Sequence, residues 1–258
     1  MSQDLARLAS VIERGDPERF LAVMAAPPDL RARLFAIYAV NLEIARAPYA
    51  SPEPLVAQMR LQFWADLSDA LQAGRALPAH EWAAPLAASL PARDAGLLSD
   101  LVAARMRDTT NDGFADEAAF SAYIEATGAG LLWMAARSLR AQDMFEPAIR
   151  AIGWAMGLAN YLRAIPALEE KGHAPLHDGR PSTVAHFARM ALGKLRAARI
   201  ERGMIPAHVT PALYAAWLAE PILKKAAAHP ALVAQGGLEP SEAGKRLRLA
   251  YVSLTGRW

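Results

Sequence analysis

Hydrophobic residues return every three to four positions along nearly the whole chain, and strand-like alternation is almost absent, so the pattern predicts an all-α protein. Short helices are expected over 3–13 and from Pro17, where Phe20, Leu21 and Met24 share a face until Pro27 and Pro28 stop it. Asp29 is placed to cap the following helix, which Pro48 ends by restricting Ala47 to extended geometry. Pro52 and Pro54 suit the first turn of a helix over 54–71, in which Leu55, Met59 and Phe63, with Leu61, Trp64 and Leu67, repeat at helical period before Gly74. Further helices are expected over 80–90 and 92–106, divided by Pro91, and over 117–139, interrupted by Gly128 and Gly130. The remainder reads as helices over 145–170 with a kink at Pro166, 181–202, 210–228 capped by Thr210, and 241–251 capped by Ser241. TTNDGFAD and KGHAPLHDGRP read as loops, and 230–240 as an exposed connection. The expected architecture is a single-domain helical bundle over 1–258, with roughly nine to eleven helices.

Two helical faces carry candidate chemistry. At about 100° per residue, Tyr38, Asn41 and Ala45 share a narrow stripe that looks into the bundle, and Glu43 points away from it. Glu43 therefore reads as a solvated or ion-paired position, with Arg46 or Arg31 as partner. Met59, Phe63 and Trp64 suit either an apolar pocket or plain core. His173 and His177 are four apart, but Pro175 lies between them and glycines flank them, so a surface loop is expected rather than a helical metal site. No GxSxG elbow occurs.

Composition narrows the classes. With 258 residues, 53% hydrophobic and 21% charged, the chain can bury a sizeable core. A net charge of +2 with scattered cations gives no nucleic-acid footprint, while a pI near 9.0 permits weak attraction to anionic lipid or an acidic partner. The absence of cysteine excludes disulfides, thiolate metal sites and cysteine nucleophiles. MSQDLARLASVIERGD lacks the apolar centre of a signal peptide, and no run of about eighteen apolar residues escapes charge or proline. A soluble cytoplasmic protein is expected. The final GKRLRLAYVSLTGRW mixes basic with apolar and aromatic residues, which suits peripheral contact with a membrane or closure of the bundle.

The segments RLFAIYAVNLEIA, QMRLQFWADLSDAL, AYIEATGAGLLWMAAR and AMGLANYLRAIPALEEKG follow one another in an order and spacing similar to the squalene/phytoene synthase family. That resemblance implies an all-α isoprenoid-synthase fold that joins two prenyl diphosphates head to head. NLEIA, MRLQFW and LRAIP look more like the branch containing the mitochondrial complex I assembly factor, which has the fold without the metal-binding acids. In the synthases, facing helices present acids one turn apart to Mg²⁺ ions that bridge phosphate oxygens. Matched from Tyr38, the first acid positions hold Ala45 and Tyr49. The second motif holds Gly157, Asn160, Arg163, Ala164, Ala167 and Leu168, so its Asn and Arg alone remain. Glu169 and Glu170 lie beyond Pro166 and do not replace the missing acids.

Gly153, Gly157, Asn160 and Ala164 form a small-residue stripe that predicts a packing seam in place of a cavity wall, and Arg163 is expected to pair with an acid or a carbonyl rather than phosphate. The resemblance implies no catalytic residue and no cofactor. It leaves Tyr38, Asn41, Met59, Phe63, Asn160 and Arg163 as ligand-pocket candidates, for a lipid or prenyl ligand, and complex I subunits or assembly intermediates as protein partners. The last helix and the 172–181 loop are the expected contact surfaces. The alternative is an Mg²⁺-dependent prenyltransferase condensing two prenyl diphosphates.

Overall fold

Proline punctuates this fold where its missing N–H is harmless, at the first turn of a helix. In the computed structural model, which describes residues 3–51, 53–110 and 112–258, α1 (Gln3–Gly15) is followed by α2 (Pro17–Met24), α3 (Pro28–Arg46) and α4 (Pro54–Gln72), each of the last three opened by proline. Then come α5 (Ala83–Ser89), α6 (Gly96–Met106), α7 (Glu117–Ile124), a π-helical segment (Glu125–Ala129) and α8 (Gly130–Ser138). The long α9 (Glu146–Glu170) precedes α10 (Pro181–Ile200), α11 (Thr210–Leu213), α12 (Ala219–Ala228) and α13 (Glu242–Thr255). No strand occurs among the described residues, and the all-α expectation holds.

Two helices make the centre. α3 buries every side chain over 34–40, and α9 packs against α8, α10, α12 and the π segment. Burying each large aliphatic side chain of this set stabilises the fold by roughly 1.5–3 kcal/mol, and the buried residues join into a continuous cluster. Arg137, 4% exposed, ties the end of α8 to the core's edge: it donates to Asp94 at 2.9 Å, Asp143 at 2.6 Å and the Ala141 carbonyl at 2.6 Å. None of the helices among the described residues is long and apolar enough to cross a membrane.

The local departures from the sequence reading have identifiable causes. Ala47 stays in the right-handed helical region, and Pro48 sits inside a 3₁₀ turn (Ala47–Tyr49) that continues α3 instead of breaking away from it. Pro27, in extended geometry, precedes α3 and Pro28 opens it, so Asp29 lies inside the first turn and caps nothing. The two helices expected over 117–139 and 210–228 are each divided, the first by the π segment and the second by a 3₁₀ turn at Tyr214–Ala216. Thr210 does not cap; its hydroxyl donates to the Pro206 carbonyl at 3.3 Å. The helix expected from His80 starts at Ala83, because His80 Nδ1 accepts the Trp82 N–H at 3.1 Å and closes a turn there. Arg31 donates to the carbonyls of Met24 and Ala26 and so is not given over to Glu43. Gly74 takes φ +62° just past α4, and Ser241 caps α13 by accepting the Gly244 N–H at 3.2 Å, both as expected. Pro52 lies outside the described residues.

Candidate functional site

The face of α3 carrying Asn41 and Ala45 and the face of α9 carrying Gly157, Asn160 and Ala164 look at each other across a cavity of about 1360 Å³. The expectation that these two helices face one another is met. Leu21 and Met24 of α2 line the same space, which is why the face they share is 43% and 37% exposed at those positions instead of buried in the core. Tyr38 is buried, with the guanidinium of the cavity-lining Arg19 4.6 Å from its ring centre. Its hydroxyl and Asn41 Oδ1 are buried without a hydrogen-bonding partner among the described residues.

The π segment exists at the place where α9 comes closest. A Cβ on Gly157 would stand 2.7 Å from the Gly128 Cα, one on Gly128 would stand 2.8 Å from the Gly153 carbonyl, and one on Gly153 would stand 2.7 Å from the Ala129 Cα. These are backbone-to-backbone approaches that no side chain fits. Gly153 and Gly157 thus form a seam, but Asn160 and Ala164 farther along α9 stay exposed and, with Gly157, line the cavity, so the stripe does not replace a cavity wall as expected.

One wall is built from α6 and α7. Arg105 donates to Asp108 at 3.0 Å and to the Tyr123 hydroxyl at 2.6 Å, and that hydroxyl donates to Asp108 at 2.7 Å. Burial pushes the Tyr123 hydroxyl well above its ordinary pKa. Tyr49 is pushed up to about 12, first by burial and then by the Asp108 charge, so it stays a neutral phenol. The Lys171 ammonium stands 4.6 Å from the Tyr49 ring centre, and the His173 ring meets its edge at 5.7 Å.

At the mouth, α2, α9 and α13 meet in a network of charges. Arg163 grips Glu18 with both terminal nitrogens, at 2.6 and 3.1 Å, and donates through Nε to Glu239 at 2.6 Å. Lys245 of α13 reaches Glu18 at 2.8 Å, Glu239 at 3.1 Å and Glu242 at 3.2 Å. Arg163 therefore pairs with acids, as expected. Tyr161 donates to the Pro175 carbonyl at 2.6 Å and fastens the 171–180 segment to α9; that segment is a loop as read, except that Pro181 at its end already opens α10.

Of the pocket candidates, Asn41, Asn160 and Arg163 line the cavity, together with Ala45, Tyr49, Gly157, Ala164 and Leu168, whereas Tyr38 is buried in the core and does not line it. Met59 and Phe63 lie elsewhere. Met59 is 66% exposed, because α4 turns Leu61, Trp64 and Leu67 to the core, and Phe63 packs on Trp64 and His80. Ala167 is exposed outside the cavity lining. Glu18, Arg105, Asp108, Tyr123 and Lys245 escaped the sequence reading; the Arg105-to-Asp108 spacing of three on a helix end was the available signal.

The model of the family described as squalene/phytoene synthase matches residues 12–176. The chain belongs to the squalene/phytoene synthase family. Similar chains of known name include a fruit-fly (Drosophila melanogaster) homologue of NADH dehydrogenase (ubiquinone) complex I assembly factor 6. It is 30% identical over 165 residues, which are 61% of this chain and 49% of that one. The cattle (Bos taurus) assembly factor 6 is 26% identical over 163 residues, 60% of this chain and 47% of that protein. The chain thus spans about half the length of the curated relatives it matches. Among solved structures, a dehydrosqualene synthase superposes with a TM-score of 0.77 at 15% identity, covering 98% of this chain and 96% of that one. A squalene synthase from Alicyclobacillus acidocaldarius superposes at 0.66 with 16% identity, covering 90% and 94%. At those identities the likeness establishes the isoprenoid-synthase fold alone.

The donor set does not fit the magnesium that the synthases use. Ala45, Gly157, Ala164 and Leu168 offer no side-chain oxygen, Tyr49 is a neutral phenol beneath a lysine, and Asn160 supplies a single neutral carbonyl. Most of the carboxylates lining the cavity are matched by cations, Asp16 by Arg19, Glu18 and Glu239 by Arg163 and Lys245, Asp108 by Arg105 and Glu242 by Lys245, while Asp112 accepts from the Thr110 hydroxyl. One remaining carboxylate does not make the oxygen-rich site that a hard dication needs.

Proposed function

We propose that this family member acts by recognition and not by ionising a prenyl diphosphate, as a binding scaffold that assists assembly of respiratory complex I. The observation that carries the reading is the replacement of the metal-binding acids on both facing helices, with arginine and lysine pairing Glu18, Glu239 and Asp108 beside them. Ionisation at a metal-assisted site draws several kcal/mol from the cation, and nothing at these positions would hold one. The name that two relatives carry, complex I assembly factor 6, supports this reading, and the partners proposed are complex I subunits or assembly intermediates. We also propose that residues 1–258 fold as a single domain, in support of which the buried side chains form a continuous cluster, and that the protein works in the cytoplasm beside the membrane holding its partner.

One observation favours the second reading, a prenyl-transferring enzyme: the cavity between α3 and α9 remains open at about 1360 Å³, large enough for a long-chain ligand. The discriminating experiment is deletion of the protein in its own organism. The assembly reading expects loss of assembled complex I on native gels and its return with the wild-type chain. Unchanged complex I with altered prenyl products would sink it.

A further inference from the structure

The first two turns of α4 stand out from the bundle. Over 53–60 Ala57 alone is buried, because α4 lays its inward stripe of Leu61, Trp64 and Leu67 on the core only farther along. Leu55 and Met59 are 68% and 66% exposed, and Val56 is 40% exposed. At about 100° per residue these three lie within about 100° of one another and form an outward apolar face. Arg60 and Glu53 follow along one edge of it, within about 20° of each other on the wheel and two turns, roughly 10 Å, apart.

The charges on that edge are free. The Glu53 carboxylate and the Arg60 guanidinium, both on exposed residues, have no hydrogen bond and no ion pair among the described residues; the Glu53 main-chain N–H donates to the Ser51 hydroxyl at 3.1 Å and holds the start of the helix. The polar groups beside them are engaged: Gln58 donates to the Thr109 hydroxyl at 3.3 Å, and Asp66 accepts from Gln62 at 2.8 Å. One acid and one base are thus left over beside three exposed apolar side chains. A surface of a single sign would satisfy one of them and repel the other.

A second copy of the chain satisfies both. A two-fold axis across this face sets the two α4 helices antiparallel and brings the same edge of each together. With the axis beside Val56 and Ala57, Glu53 of either copy stands opposite Arg60 of the other, Leu55 meets Met59, and the two Val56 side chains meet near the axis. Every group left over in one copy finds its complement in the other.

From this self-complementarity we propose that the protein pairs with itself through the first two turns of α4, about a two-fold axis beside Val56. The inference is independent of the assembly reading. A contact of two turns is smaller than the roughly 800 Å² a side of a stable interface, so the pair is reversible, with a dissociation constant on the order of 100 μM. Sedimentation equilibrium of the purified protein from about 10 μM to about 1 mM tests it, and the mass is expected to rise from one chain toward two across that range. Glu53→Arg sets like charges opposite each other twice and should weaken pairing at least about tenfold, as should Arg60→Glu. Mixing the two variants restores both ion pairs, so a mixed dimer of near wild-type affinity is expected, which a merely structural role of these residues would not produce. Leu55→Asn with Met59→Asn should leave a monomer with unchanged circular dichroism, since both side chains are exposed. A monomer across the whole range overturns the proposal, and so does a dimer that these variants leave unchanged. A monomer whose Leu55→Asn, Met59→Asn variant no longer restores complex I in the deletion strain, or no longer floats with vesicles that the wild-type chain binds, would give the face to another protein or to lipid instead.

Discussion

α9 meets its neighbours in two opposite ways. Along Gly153 and Gly157 it is held against the π segment by the absence of side chains, backbone on backbone, with no charged group involved. Less than two turns later, Arg163 holds it to α2 and to Glu239 by charge alone. The seam tolerates no added atom, whereas the mouth tolerates change of shape and not of charge. The same helix therefore forms a rigid floor for the cavity and an adjustable rim, with α13 attached to the rim through Lys245.

The largest break in this comparison is steric. Gly157→Leu should destabilise the fold by about 3 kcal/mol or more, since the atoms in the way are backbone and cannot swing aside, and urea unfolding would measure it. Next is the wall: Asp108→Ala leaves the buried Arg105 without its carboxylate and the Tyr123 hydroxyl without its acceptor, and should cost about 2 kcal/mol in the same assay. At the rim, Glu18→Gln removes the shared partner of Arg163 and Lys245. It should cost about 1 kcal/mol, and it should speed hydrogen exchange in α13 while leaving the seam protected.

The smallest effect is one of pH, at a site that sharpens the contrast by joining α10, α12 and α13 through charge. Glu220 accepts from Arg199 at 2.7 Å and Arg248 at 3.1 Å, and the hydrogen bond from Arg199 is the first cause that lowers its pKa to about 2. A carboxylate lowered on folding stabilises the native state above its unfolded value and loses that contribution as pH falls through its folded value. Glu220 should therefore contribute about 1 kcal/mol near neutrality after solvent screening, a contribution that fades from about pH 4.5 toward 2 and is missing in Glu220→Gln. Melting temperatures of the two proteins across that range would converge at the acid end if the assignment holds.

The helical pattern was legible because each long helix buries one stripe, and the prolines marked their starts. Its errors fell where a tertiary contact outweighed a local preference. Thr210 bonds backward to Pro206, His80 closes a turn on Trp82, and the 117–139 helix widens into a π turn where Gly128 meets Gly157. The site was half legible. Asn41, Ala45, Gly157, Asn160 and Arg163 followed from helical spacing and from the family resemblance. Glu18, Lys245 and Glu239 come from three separate parts of the chain, and no local pattern signals that they converge on Arg163. Met59 misled because an apolar residue at helical spacing at the start of α4 stands outside the stripe that α4 buries.

The central claim is that this fold no longer ionises a prenyl diphosphate. Its most direct test is release of inorganic diphosphate from farnesyl diphosphate by the purified protein in the presence and absence of Mg²⁺. The account predicts no release above the protein-free background in either condition, since Ala45, Tyr49, Gly157 and Ala164 stand where metal-binding acids are needed. Release that depends on Mg²⁺ and disappears in Arg163→Ala would contradict it.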